Sequence, residues 1–146
     1  MKVVDVHAHL LPRCFWNAAE NEGHWFGNRL FSRDGNQFVD ADRRVAGPMI
    51  PLWRYDADER IQVMDQQGVD VHLVSVAPFF TNYHLEPKEG LAAAKEVNDE
   101  IAGMVQARPD RFAGLATVPM QDPGAASAEL ERSVNGLGLK GAELVT

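Results

Sequence analysis

A single cysteine, Cys14, stands in 146 residues. No disulfide can close within the chain, and a reducing compartment is the simplest context. Positive charge is also scarce: 14 lysines and arginines face 21 aspartates and glutamates, a net charge of −7. Domains that bind a phosphate backbone carry a basic stripe; none is visible, which argues against a nucleic-acid partner. Long apolar runs are missing as well. The opening MKVVDVHAHLLP contains no uninterrupted apolar stretch above two residues, whereas a secretory signal needs about 7–15 and a membrane helix about 20. The expectation is a soluble, cytoplasmic protein with no membrane partner. Apolar residues at 45% and charged residues at 24% are the proportions of a globular domain, so disorder, collagen and coiled coil are excluded. The length suits one domain with its own core.

Two kinds of segment alternate after residue 55. Residues 69–77 (VDVHLVSVA) are short and rich in β-branched side chains, and Pro78 stops them, as for a buried strand. Residues 112–118 (FAGLATV) and 139–145 (LKGAELV) form two further runs, the last weakened by Gly141; residues 2–6 (KVVDV) make the first strand. Between them lie helical patterns. Asp56 with Glu59 spells a capping box, and Gly68 stands where a helix would end; Ile61, Met64 and Val63 supply the apolar face. From Pro87 to Ala107 the residues Leu91, Ala94, Asn98, Ile101 and Val105 recur at helical spacing, and residues 125–135 repeat the pattern. Strands separated by helices pair in parallel through right-handed crossovers, which predicts an α/β fold.

Residues 14–55 break this rhythm, being far longer than the usual few-residue connection from strand to helix. They hold all three tryptophans (Trp16, Trp25, Trp53) and four of the seven phenylalanines. Asp34-Gly35 between two apolar pairs predicts a two-residue hairpin turn. An aromatic loop at the C-terminal end of a parallel strand lies where such folds take substrate. It can equally be a small core that packs the loop on itself, and the two readings are compatible.

His7-Ala-His9 follows the first strand directly. Alternation along a strand puts residues 5, 7 and 9 on one face, so two imidazoles at its C-terminal end can converge. Convergent neutral nitrogens on a rigid strand are what a divalent metal requires, at about 2 Å from each. Asp5, one step below, can accept from a ring N–H or tie down a loop. With five histidines in the chain, the bare spacing is weak evidence; its place on the first strand of an α/β array strengthens it.

VDVHAHLLP resembles the first-strand signature of the amidohydrolase superfamily, and more narrowly its amidohydrolase-related branch, which includes aminocarboxymuconate-semialdehyde decarboxylase. RIQVMDQQGVDVHLVSVAP (60–78), EVNDEIAGMVQARPDRFAGLATVPMQDP (96–123) and AELERSVNGLGLKGAELVT are similar to the helix–strand units that follow it, in the same order. The resemblance implies a (β/α)8 barrel with a metal, zinc being expected, held by His7 and His9 at the strand mouths. It implies non-oxidative decarboxylation of a small unsaturated or aromatic carboxylate, with hydrolysis or hydration as the alternatives on the same scaffold. The resemblance points to Arg44 for gripping the substrate carboxylate, with Arg13 a weaker alternative, whereas from the residues alone Arg43 and Arg44 read as a solvated pair. A complete barrel needs about 250 residues, 200 at the least. The resemblance therefore places this chain as the N-terminal half, about four strands, with residues 14–55 as an aromatic insert. The family's further metal ligands and its proton-transfer histidine would lie beyond Thr146. Taken alone, such a chain is expected to be inactive and, with an open apolar face, prone to associate, a homodimer being the simplest form.

The remaining motifs read as structure. GLGLKG (136–141) spells a dinucleotide fingerprint, yet a helix precedes it and a strand follows, so it is a helix stop. His72, amid apolar residues, reads as a core histidine bonded to a backbone group. His24 and His84 read as loop surface, Cys14 as no nucleophile, and the charged residues of the helices as solvated faces.

Overall fold

Helix boundaries follow the local signals. The computed structural model describes residues 1–20, 23–41 and 44–145, with Arg44 placed by its backbone alone. The first strand, β1, is Val4–Leu10 and a short helix, α1, is Arg13–Ala19. Helix α2 (Ala57–Gln67) opens on the full capping box, Asp56 Oδ1 accepting from Glu59 N–H and Glu59 accepting from Asp56 N–H, both at 2.9 Å. It ends at Gly68, whose φ of 71° a residue with a Cβ adopts only with strain. Helix α3 spans Pro87–Ala107, with Pro87 in the first turn where its missing N–H costs nothing. Its buried stripe runs through Gly90, Ala94, Val97, Asn98 and Ile101, one position round from the Leu91–Val105 stripe for its outer members. Helix α4 (Pro123–Glu131) continues into a π-helical turn, Arg132–Gly136.

With β5 (Val71–Val76) and β6 (Phe112–Gly114), β1 forms a three-stranded parallel sheet in the order β1-β5-β6. The fold is α/β. Two predicted strands are shorter than their sequence runs. Residues 112–118 are regular only through Gly114, and residues 139–145 make a single parallel bridge, Ala142 to Ala116. Backbone bonds still lay this last segment along β6: Lys140 N–H reaches the Gly114 carbonyl at 2.8 Å, and Glu143 N–H the Ala116 carbonyl at 3.0 Å. Gly141, at φ 152°, interrupts the pleat between them. Gly114 lets α3 come close, since a Cβ there would sit 2.5 Å from Ile101 and 2.8 Å from Leu139.

The insert is folded. Strands β2 (Arg29–Arg33), β3 (Asn36–Ala41) and β4 (Arg44–Ala46) make an antiparallel sheet of their own. Asp34 and Gly35, at φ 52° and 77°, form the predicted two-residue turn. Phe15, Trp16 and Trp25 are buried, and Phe80, just after β5, packs on Phe15 and Trp25 at ring distances of 4.6 and 5.7 Å. These aromatics thus extend the main core. Helix α3 anchors them with carboxylates: Glu100 accepts from the free N–H groups of Arg13 and Cys14 at the start of α1 (2.6 and 3.1 Å), and Glu96 from Trp25 Nε1 (2.7 Å).

Two helix charges are not solvated. Arg60 of α2 is 0% exposed and spends one guanidinium N–H on the His9 carbonyl at 2.8 Å. Glu129 is buried but satisfied, accepting from Asn98 (2.8 Å), Ser133 (3.3 Å) and Arg132 (2.8 and 2.9 Å). Among the described residues, no helix is long and apolar enough to cross a membrane.

Candidate functional site

The geometry of β1 is set by a bulge. Asp5 pairs with His72 and Ala8 with Val74, so Val6 and His7 together oppose the single residue Leu73. This corrects the expectation that residues 5, 7 and 9 share a face. Ahead of the bulge, Asp5 shares the helix-packed face with His72; beyond it, Ala8 and Leu10 are buried there while His9 stands with Ser75 on the opposite, inner face. One Asp5 oxygen pins the bulge by accepting from His7 N–H at 2.9 Å; the other lies 3.7 Å from His72 Nε2. His72 is a core residue, as expected, but neither of its ring nitrogens finds the backbone partner foreseen for it. Burial lowers its pKa, against the pull of Asp5.

Beyond the bulge the two imidazoles come together, with ring centroids 4.5 Å apart in an edge-to-face arrangement. His7 is exposed and His9 half-buried. His9 Nδ1 lies 3.1 Å from the Ser75 hydroxyl and 3.8 Å from Glu143 Oε2. Burial lowers the His9 pKa; Glu143 opposes this and His7 adds to it, so the ring is held toward its neutral, ligating form. Burial pushes the pKa of the Tyr83 hydroxyl up; a backbone hydrogen bond at Val145 opposes this and the charge of Glu143 adds to it.

Two converging imidazoles suit a divalent cation as part of its ligand set. Among the described residues, no group of three or more His, Cys, Asp and Glu is arranged to hold one. Sequence reasoning missed Ser75, Glu143 and Tyr83. Only alternation along residues 69–77, which puts Ser75 opposite His72 and Val74, offered a signal.

The other candidates do not join this cluster. Arg43 lies outside the described residues, and Arg44 is known only as the first residue of β4, opposite Ala41. Arg13 is largely exposed, 3.6 Å from Asp56, and lines a cleft of about 330 Å³ with Leu10, Leu11, Arg54 and Glu100; His7 and His9 do not line it. His24 and His84 are exposed. Burial, then the nearby carboxylates Glu100 and Glu96, push the Cys14 thiol up to about 12, which leaves it no thiolate to react with. Gly138, at φ 78°, and Gly141 shape the GLGLKG turn between the π-helical turn and the last extended segment.

The amidohydrolase profile matches residues 4–146. The chain belongs to the amidohydrolase family. It is 31% identical over 150 residues to 2-amino-3-carboxymuconate-6-semialdehyde decarboxylase of Dictyostelium discoideum, covering 97% of this chain and 39% of that protein. The structure of 2,6-dihydroxybenzoate decarboxylase from Rhizobium superposes with a TM-score of 0.63 at 26% identity, over 97% of this chain and 38% of that one. Dihydroxybenzoic acid decarboxylase from Polaromonas, solved with bound manganese and the inhibitor 2-nitroresorcinol, matches at a TM-score of 0.56 and 36% identity, over 58% of this chain and 26% of that one. The chain therefore spans about two-fifths of the length of its semialdehyde decarboxylase relative.

Proposed function

We propose that this chain is the first part of a (β/α)8 barrel in a metal-dependent decarboxylase, acting without oxidation on a small unsaturated or aromatic carboxylate. The observation that carries the reading is the His7–His9 pair, 4.5 Å apart on the inner face of a parallel sheet, in a chain similar to decarboxylases of such acids. His7 and His9 would hold the metal. Imidazole donors suit zinc, and the Polaromonas relative holds manganese. A bound divalent ion supplies Lewis acidity for an oxygen of the substrate.

This chain's own residues do the rest of what can be assigned to it. Asp5 pins the bulge at His7 by accepting from its backbone N–H. Arg60 fixes the His9 backbone from behind. The 14–55 insert, packed through Phe15, Trp16 and Trp25, walls the strand end where Leu11 N–H meets the Trp53 carbonyl at 2.9 Å. Arg44 is proposed to pair with the substrate carboxylate, for which a guanidinium fork is suited. Two ligands hold zinc weakly, so turnover belongs to an assembly in which further ligands complete the set. By itself the chain, with Val6 and Leu144 exposed on it, is expected to associate and not to turn over.

The test measures Zn2+ and Mn2+ binding to the purified protein, and CO2 release from 2,6-dihydroxybenzoate by the protein within a complete barrel. Binding should fall at least tenfold in His7→Ala and in His9→Ala, and release should vanish in both. Undiminished metal binding in the double variant would remove the proposed site.

A further inference from the structure

The 3.1 Å contact between His9 Nδ1 and the Ser75 hydroxyl can run in either direction. Nδ1–H can donate to Oγ, which leaves a lone pair on Nε2. Alternatively the hydroxyl donates to Nδ1, and the ring proton sits on Nε2. The two states differ in whether Nε2 can bind a metal at all.

Glu143 decides between them. Its Oε2 lies 3.8 Å from the same nitrogen and is buried with no hydrogen-bond partner. A carboxylate oxygen attracts an N–H and repels a nitrogen lone pair, and both effects grow where water is excluded. An orphaned buried acceptor also costs free energy that a donor would recover. A proton on Nδ1 would place a donor 3.8 Å from that oxygen as well as 3.1 Å from the Ser75 hydroxyl.

We propose that Ser75 and Glu143 act together as positioning residues that hold His9 in its Nδ1–H tautomer and so make Nε2 the metal-binding nitrogen. Ser75 reaches the ring because the register pairs it directly with His9. Glu143 comes from the extended segment laid along β6, on the far side of β5, so the sheet must curve for its carboxylate to meet β1. The Arg60 guanidinium, at 2.8 Å from the His9 carbonyl, holds the same residue from the opposite face. The inference rests on the metal reading of His7 and His9 given above, but its first readout needs no metal.

That readout is the long-range 1H–15N correlation spectrum of the metal-free, 15N-labelled protein, with His9 assigned by its loss in His9→Gln. Zn2+ alone is then titrated against a chromophoric chelator. The wild type should show Nδ1–H. Glu143→Gln and Ser75→Ala should shift population toward Nε2–H and weaken Zn2+ binding by about 10- to 100-fold, the usual cost of losing such a partner. Ser75→Thr, which keeps the hydroxyl, should restore both, and matched thermal unfolding would set aside a folding defect. A wild-type ring already carrying its proton on Nε2, or a tautomer unmoved by Glu143→Gln, would overturn the proposal. Loss of Zn2+ binding in Glu143→Gln with the tautomer unchanged would make Glu143 a ligand instead, and overturns it too. A wild type that shows Nδ1–H and loses it in both variants, yet binds no Zn2+, would uphold the positioning role and reject the metal reading.

Discussion

The two faces of the parallel sheet are built differently. The helix-packed face buries Ala8, Leu10, Val74, Val76 and Phe112 against Ile61, Met64, Val97 and Ile101, and joins the insert through Phe80. The inner face carries the polar cluster and leaves Val4 at 49% and Val6 at 68% exposed. On the first face a side chain is held by everything around it. On the second, position comes from the strand register and a few hydrogen bonds. The packed core and the polar cluster thus lie on opposite sides of one sheet.

The largest blow to that contrast should come from Phe80→Ala. Phe80 is 1% exposed and touches Phe15, Trp25 and Phe79 at 4.6, 5.7 and 5.1 Å. Its truncation should cost about 3–5 kcal/mol, read as a lower urea midpoint by tryptophan fluorescence. A loss below about 1 kcal/mol would mean the insert does not share the core.

A middle-sized effect concerns His72, which is 2% exposed on the helix-packed face and has its pKa lowered by burial, with Asp5 pulling it up and Arg60 and Arg111 adding to the lowering. The folded state keeps the ring neutral, whereas the unfolded chain takes up a proton near pH 6.5. Below that pH the unfolded state holds the extra proton, so stability falls as pH drops, by at most about 1.4 kcal/mol per unit for one group. His72→Gln should flatten this slope between pH 6.5 and the folded pKa in urea unfolding series. An unchanged slope would assign the acid sensitivity elsewhere.

The smallest effect sharpens the contrast from the other side. Val6→Thr, on the inner face, should change the stability of the dissociated chain by less than about 0.5 kcal/mol. A loss above about 1 kcal/mol in the same unfolding assay would show that the inner face is covered in solution.

Much of the fold was legible in the sequence because its signals are local. The Asp56–Glu59 box, the Pro87 start of α3 and the Asp34-Gly35 turn each act within four residues, so spacing alone exposes them. The bulge in β1 was not legible. Alternation holds only while strands pair one to one, and the extra residue opposite Leu73 moved Asp5 to the other face. Nor did the sequence mark Arg60 for burial, since its place on α2 differs from that of a solvated arginine only by what lies beneath it.

By itself, then, the sequence determined the α/β order, the helix ends and the His7–His9 pair, because period, cap and turn chemistry are written in neighbouring residues. Only the tertiary structure decided that Ser75 and Glu143 meet His9, and that the insert's aromatics complete the core around Phe80. Those meetings join distant parts of the chain. They depend on strand register and sheet curvature, which no local spacing encodes.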